Sequence, residues 1–474
     1  MTMPGAPRCA RMRSPQDTAA HPGTTAGLLP GATHHQSMTT LNNLSRCVAN
    51  YDPEALPVAA AQAIVRQWAT PVTAAERVPL RDALDRVLAA DIGSPINVPA
   101  HDNSAMDGYA FDGTALGTSA ASGAAPRTVE LKVAGKALAG HPFDGKAARG
   151  TCVRIMTGAP MPAGCDTVVP QELTKVEGET VSFAAGAVRP GANRRRAGED
   201  LAAGQPALRA GRWLRAADIG LVASLGIAEV PVRRRLRVAF FSTGDELRSI
   251  GEPLAAGCIY DSNRHTLYAM LRRLNVEAID LGVVRDEPGA LEAIIRNAAA
   301  NADVVLSSGG VSVGEADFTR KLLDTIGDVA FWSLAMRPGR PLAFGRIWSG
   351  ARAGDGHPAL FFGLPGNPVA VMVTFYQIVR EALIAMTGAS VDPVPLIDAA
   401  CTVAIRKRPG RTEFQRGIAR RDAHGHWHVT PTGSQSSAAL SSMSEANCFV
   451  VLAHDAADLD AGDHVDIMLF DALV

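Results

Sequence analysis

Val304-Val-Leu-Ser-Ser-Gly-Gly-Val-Ser-Val-Gly-Glu-Ala-Asp317 decides the reading of this chain, because an apolar, strand-like run stops there at a loop of glycine and hydroxyl residues. The same run-and-stop recurs three times nearby. Val238-Ala-Phe-Phe241 runs into Ser242-Thr-Gly-Asp-Glu246, Ile279-Asp-Leu-Gly-Val-Val284 into Arg285-Asp-Glu287, and Leu360-Phe-Phe362 into Gly363-Leu-Pro-Gly-Asn-Pro368. Helical stretches lie between the runs, so the strands should be parallel and their four loops should gather at one edge of one sheet, where open α/β sheets bind ligands. Glycine lets backbone amides approach a phosphate, and carboxylates hold a metal or a polar head group. The pattern predicts a protein that handles a phosphorylated small molecule.

At 474 residues the chain is too long for one core, and about three domains are expected. A net charge of −1 gives no reason to expect nucleic acid or a membrane as partner. Seven cysteines, with no C-x-x-C pair, point to reduced thiols and a cytoplasmic location. No uninterrupted apolar run reaches the roughly 18 residues of a membrane span. The basic start (Arg8, Arg11, Arg13) has no apolar stretch behind it. Residues 1–50 read as a disordered extension, with Met38 as an alternative initiator.

Apolar spacing from Val58 to Ala90 predicts two helices around Pro71, followed by the polar loop His101–Tyr109. Short alternating runs (Val129–Val133, Cys152–Ile155, Thr167–Val169) predict a small β subdomain over about 99–185, inserted in a composite region 51–232 that ends with a helix Ala216–Gly226. The α/β block covers 233–392, with crossover helices expected at Ser262–Leu274, Pro288–Ala300, Phe318–Ile326 and Pro368–Met386. Five short strands over 393–474 (Thr402–Ile405, Glu413–Ala419, Trp427–Thr430, Phe449–Leu452, Val465–Leu469) read as a small β-barrel. The fold class is therefore multidomain α/β plus β.

Each motif also has a plain structural explanation. Ser308, Gly309, Gly310 and Ser312 form a nest suited to a phosphate or pterin head group, and capping does not call for those glycines. Asp317 opens a helix, where it either ligates Mg²⁺ or caps. Glu246 and Asp286 can each be turn or cap residues, but three carboxylates at one edge are costly unless a cation sits between them. Pro365, Gly366, Asn367 and Pro368 make either a rigid turn into a helix or a stiff binding surface. Arg337 and Arg340, stiffened by Pro338 and Pro341, are solvated cations or an oxyanion site. His424, His426 and His428 lack further metal ligands at useful spacing apart from Asp422 and read as a hairpin.

Six motifs in order complete the picture: Asp102–Ala110, Arg154–Pro160, Arg195–Asp200, Ser242–Leu247, Ser308–Asp317 and Gly363–Pro368. Together they resemble the MoeA family of molybdopterin molybdenumtransferases, related to the gephyrin E domain, from about Leu56 to the C-terminus. The resemblance implies a central molybdopterin-binding three-layer α/β domain and a cytoplasmic homodimer with a shared active site. It also implies insertion of molybdate into adenylated molybdopterin with release of AMP and with Mg²⁺. Asp107, Thr157, Asp200, Glu246, Asp286 and Asp317 match the family's catalytic positions. Mg²⁺ falls to Glu246, Asp286 and Asp317, and ligand contacts to Pro365, Pro368 and Ser437. Arg337, Arg340 and Arg411 are the candidate counter-charges to molybdate, although relatives often carry lysine where this chain has Ser333, Arg337 and Arg340. Asp107, Thr157 and Asp200 would reach the α/β edge of a second protomer. Molybdopterin adenylyltransferase and apo-molybdoenzymes are the implied protein partners. The rival readings are that adenylyltransferase itself, a smaller single-domain protein, and a non-catalytic dimeric scaffold for a peptide.

Overall fold

The computed structural model describes residues 41, 52, 55–117, 127–310, 316–351 and 353–473, and for 316–318 the backbone alone. Ser312, the side chain of Asp317 and, Leu41 and Asp52 apart, the N-terminal extension lie outside the described residues. The chain forms two compact units, Ala74–Arg233 and the remainder on either side of it.

In the larger unit a helix α1 (Val58–Trp68) buries Ala61, Ile64, Val65 and Trp68 on one face. The strands that follow Arg234 are β1 (Arg237–Thr243), β2 (Glu277–Val284), β3 (Val304–Ser308), β4 (Gly327–Ser333), β5 (Pro341–Trp348) and β6 (Pro358–Leu364). They form one sheet in the order β2-β1-β3-β6-β5-β4. The first four run parallel, as the sequence predicts. The two antiparallel strands β4 and β5, which the sequence analysis does not anticipate, extend the far edge.

Crossovers are α2 (Ser262–Arg273), α3 (Pro288–Asn301) and α4 (Ala316–Ile326). Asp261 caps α2 by accepting from the N–H of Arg264 at 3.1 Å, and Pro288 opens α3 without losing a needed donor. The period of two along β1 sends Phe240 to one face and Phe241 to the other. Phe240 joins Leu306, Phe344, Phe362 and α1 in one core, and Phe241 joins Val305, Phe361 and Ile295 of α3 in a second. A sheet covered on both faces explains why its strands are almost unbroken in hydrophobicity.

After β6, α5 (Pro368–Thr374) passes through a π turn at Phe375–Val379 into α6 (Arg380–Thr387). Among the described residues this Pro368–Thr387 stretch alone is long and apolar enough to cross a membrane, but most of it is buried in the core. The last strands are β7 (Ile397–Cys401), β8 (Thr412–Arg421), β9 (Trp427–Pro431), β10 (Cys448–Leu452) and β11 (His464–Leu469). The pairings β8–β9, β9–β7, β7–β11, β11–β10 and β10–β8 close a five-stranded barrel. Its first strand is Ile397–Cys401, not Thr402–Ile405. Beyond Cys401 the ladder ends, and Ile405 forms only an isolated bridge to Leu459.

The smaller unit contains a six-stranded sheet in the order Thr167–Pro170, Gly108–Phe111, Thr151–Ile155, Thr128–Ala137, Thr180–Ala184, Lys175–Glu177. Beside it, Ala83, Leu88, Leu214, Val222 and Val230 form a separate core around helix Ala216–Ser224. The second helix expected before Ala90 is absent. A short 3-10 turn at Leu80–Asp82 is followed by Asp85 at φ 59°, a left-handed conformation that ends helical winding. Val87 and Leu88 are instead extended, bridging to Trp213 and Val232.

Phe344 is fully buried between Trp332 (5.4 Å between ring centroids), Phe362 (5.0 Å) and Trp68 (6.0 Å). Phe344→Ala should lower the stability of this unit by about 3–5 kcal/mol. Urea unfolding followed by tryptophan fluorescence measures it, and a loss below about 1 kcal/mol would contradict the packing described.

Candidate active site

The connection from β1 passes to β2 on one side, and the connection from β2 returns across β1 to β3. The crevice between the carboxyl ends of β1 and β3 is thus the topological switch point of the sheet. Gly309 (φ 92°) and Gly310 (φ 69°) follow β3 there. A Cβ on Gly309 would lie 2.5 Å from the carbonyl oxygen of Thr243, and one on Gly310 would lie 3.0 Å from the Thr243 hydroxyl. Both conformation and space therefore demand glycine.

Three residues around α2 organise the crevice. Ser242 donates its hydroxyl to Asp261 at 3.1 Å, and Asp261 is 2 % exposed. Asn263 donates its amide to Ser308 Oγ at 2.9 Å and to the carbonyl of Gly366 at 2.7 Å, tying the glycine loop to the Leu364–Pro368 loop. A carbonyl can only accept, so the amide NH₂ faces these partners and Asn263 Oδ1 faces away. Asn263 Oδ1, Asp261 Oδ2, Thr243 Oγ1 and Arg264 Nε are buried without a hydrogen-bond partner in the structure. Sequence reasoning took Asp261 only as a helix start and passed over Asn263; the polar Asp-Ser-Asn-Arg run after a strand end was the available signal.

Glu246 follows β1, and its carboxylate folds back over Gly244, where a Cβ would lie within 2.5 Å of it. Asp286 follows β2 between Arg285 and Glu287. A polar cavity of about 620 Å³ opens beside these strand ends, lined by Gly244, Asp245, Arg248, Arg264, Arg285 and Glu287 among others. Among the described residues no three acidic, histidine or cysteine side chains come together as a metal cage. Asp317 is the second residue of α4, and its side chain is not described.

A second cluster forms where Met336–Arg337 pairs with Thr412–Glu413 of the barrel. Buried Glu413 (1 % exposed) accepts from Arg411 Nε at 2.9 Å and lies 3.9 Å from Arg337 Nη1. Arg340 donates to Ser333 Oγ at 2.6 Å, so the serine anchors the arginine. The carbonyl of Ser437 accepts the N–H of Val369 at 3.0 Å, joining the serine loop to the helix that Pro368 opens. Ser308, Asn263, Gly366, Val369 and Ser437 are thereby linked along one path.

In the smaller unit the loop before Gly108 meets two others. Asn103 and Ser104 pair with Arg195 and Arg194, and the N–H of Gly158 donates to the Ser104 carbonyl at 2.8 Å. Asp107 Oδ1 accepts both the N–H and the hydroxyl of Thr157 at 2.7 Å. Those two bonds, backbone first, and the charge of Arg154 hold Asp107 below its ordinary carboxylate pKa. Asp200 is anchored separately, its N–H donating to the carbonyl of Val98 at 3.0 Å. The histidine tract is a turn: Asp422 Oδ1 accepts the N–H of His424 and of His426, both at 2.9 Å.

Three family models match the chain: MoeA N-terminal region (domain I and II) over 56–226, probable molybdopterin binding domain over 239–385, and MoeA C-terminal region (domain IV) over 398–470. A molybdopterin molybdenumtransferase of Haemophilus influenzae is 42% identical over 404 residues, covering 85% of this chain and 95% of that protein. A gephyrin of Dictyostelium discoideum is 31% identical, over 83% of this chain and 59% of its own length. The crystal structure of the molybdopterin biosynthesis MoeA protein from Pyrococcus horikoshii OT3 superposes with a TM-score of 0.72 at 28% identity, over 88% of this chain and all of that one. Matched between residues 56 and 470 by models of all three regions, and built on the same central sheet and closing barrel, the chain belongs to the MoeA family of molybdopterin molybdenumtransferases, transferases of molybdenum-cofactor biosynthesis.

Proposed function

We propose that this chain inserts molybdate into adenylated molybdopterin and releases AMP, acting in the cytoplasm as a homodimer. The observation that carries the reading is the linked path from Ser308 through Asn263 and Gly366 to Val369 and Ser437, which joins the switch-point crevice to the arginine-rich margin of the barrel. One ligand can lie along such a path with its phosphate near the glycines and its dithiolene near the cations. Residues 51–232, 233–392 and 393–474 serve as its three working regions. Molybdopterin adenylyltransferase and apo-molybdoenzymes would be its neighbours in the pathway.

In this reading Ser308, Gly309, Gly310 and Ser312 bind the phosphate through amides and hydroxyls. Pro365, Gly366, Asn367 and Pro368 form a stiff wall whose geometry costs no ordering on binding. Arg337, Arg340, Arg411 and Ser437 hold molybdate, a dianion that must be brought beside an anionic substrate. The forked guanidiniums here bind oxyanions in a plane, unlike the point charge of lysine.

Glu246, Asp286 and Asp317 offer hard oxygen donors, and Mg²⁺ typically takes one or two carboxylates together with substrate phosphates. Their positions at neighbouring strand ends suit that mode better than a closed cage. Bound there, Mg²⁺ supplies Lewis-acid polarisation of a phosphoryl oxygen. Asp107, Thr157 and Asp200 would complete the site of the second protomer. Thr157 holds Asp107 in its ionised form, so it can accept a hydrogen bond or face a cation without first losing a proton.

Incubation with adenylated molybdopterin, molybdate and Mg²⁺ should release AMP only when all three are present. Asp317→Ala should abolish that release with an unchanged melting profile. A chain that folds and binds molybdopterin but never frees AMP would instead be the scaffold. Gly309→Ala should slow turnover at least about tenfold, since its methyl group pushes β1 from β3. The shared site predicts complementation: inactive Asp107→Asn and Asp317→Asn chains, mixed and reassembled, should recover up to roughly a quarter of wild-type activity. No recovery on mixing would mean that each chain carries its own complete site.

A further inference from the structure

From Asp102 to Phe111 every residue is buried or half-buried except one, and the exception is apolar: Met106 is 42 % exposed. A loop that only turned the chain would carry a polar side chain there. Scattered exposed apolar residues are ordinary on a protein surface, so exposure by itself assigns Met106 nothing. What sets it apart is how firmly the loop holds it out and which group stands beside it.

Ser104 is fully buried, and its hydroxyl donates to the carbonyl of Met106 at 2.5 Å and accepts the N–H of Met106 at 3.3 Å. On either side the N–H of Ala105 donates to the carbonyl of Asn193 at 2.9 Å, and the carbonyl of Asp107 accepts the N–H of Gln171 at 3.0 Å. The backbone at 105–107 is thus bonded to three different parts of the unit, while the methionine side chain stands in solvent. Next to it, Asp107 Oδ1 is occupied by Thr157, and among the described residues Asp107 Oδ2 accepts no hydrogen bond. An ionised carboxylate is a pure acceptor. The tip therefore presents a polarisable thioether beside an unused acceptor oxygen, both on a backbone already ordered, so little further entropy is lost when something docks there.

We propose that Met106 is a specificity-determining contact for the substrate, its thioether lying against the face of a heteroaromatic ring whose amino edge donates to Asp107 Oδ2. The inference rests on the reading that Asp107 completes the site of the second protomer, and adds to it the residue that recognises the organic part of the ligand. A thioether gains most against a flat ring. A carboxylate repels phosphate and molybdate, so this tip suits the part of the substrate that carries no charge. Adenylated molybdopterin has two flat rings with amino groups, adenine and the pterin, and both offer that chemistry.

In AMP-release assays Met106→Ala should raise the KM for adenylated molybdopterin about fivefold, leave the KM for molybdate within about twofold, and keep the melting profile of the wild type. Met106→Leu, which keeps the volume without the sulfur, should recover most of the difference. The ring is identified by two further affinities, that of AMP as an inhibitor and that of molybdopterin without its adenylate. A loss of about fivefold in the first marks adenine, in the second the pterin, and a loss in neither overturns the assignment. An unchanged KM for adenylated molybdopterin in Met106→Ala, or an equal rise in both KM values, overturns it too. So does a weaker dimer of Met106→Ala in analytical ultracentrifugation, because the side chain would then be covered by protein. A wild-type protein that releases no AMP would sink the proposed function, whereas an active wild type with none of these responses would sink only this inference.

Discussion

Everything at the sheet edge depends on how closely Gly309 lies against the carbonyl of Thr243. Parallel strands carry their connections on the faces, so at a switch point two strand ends are left with no helix passing between them. Here that opening is narrowed by glycines at positive φ, with no room for even one carbon. The narrowing brings Ser308 within reach of Asn263, and Asn263 in turn reaches Gly366. A side chain at 309 would part the strands and undo the tie. A single steric constraint thus sets the spacing of two loops more than fifty residues apart in sequence.

Buried charge is handled in two ways, and the contrast is informative. Arg234 and Asp303 meet through two bonds of 2.7 Å, and Asp303 also accepts the N–H of Arg237 at 2.9 Å. Burial alone would raise the Asp303 pKa, yet those bonds hold it below the ordinary value. Its folded-state pKa is depressed, so the pair stabilises the fold above the unfolded-state pKa and is lost as pH falls through the folded one. The barrel follows a different rule. Lys407 (4 % exposed) donates to the carbonyls of Arg408, His454 and Ala456, and Arg416 to those of Ser434 and Ser436. Carbonyls satisfy donors but do not cancel charge. The Arg234–Asp303 pair, at the amino ends of β1 and β3, is thus neutral as a whole, whereas the two barrel cations have no hydrogen-bonded carboxylate among the described residues.

The parallel strands were legible in the sequence because burial on both faces leaves their hydrophobicity unbroken. The crossover helices were legible for a local reason: Asp261 and Pro288 announce their starts. What escaped did so for physical reasons. Ile397-Asp-Ala-Ala-Cys401 has only one of the branched and aromatic residues that mark strands, and its place is set by pairing with β11 and β9. Leu80, Ala83, Val87 and Leu88 have helical spacing, but Asp85 turns left-handed and sends the last two into bridges. The candidate site was partly legible: its loops carry recognisable motifs. Arg416 gave no local signal at all, since an arginine in a strand reads as a solvated edge until the loop that covers it is known.

The hydrogen-bonding groups without partners suggest what kind of ligand would restore the balance. At the switch-point end the unmet atoms are mixed: Asn263 Oδ1 only accepts, Thr243 Oγ1 can donate or accept, and Arg264 Nε only donates, lying 3.6 Å from Asp261 Oδ2 as an ion pair. At the barrel end the amides of Gln435 and Ser437 also donate to no described group, but they lie in a loop whose Ser434 and Ser436 are exposed. Buried polar groups are costly to leave unpaired, so an evolved site keeps them only for something that arrives. A ligand that restores the balance at the switch-point end must carry both donors and acceptors, which an acceptor-only oxyanion does not.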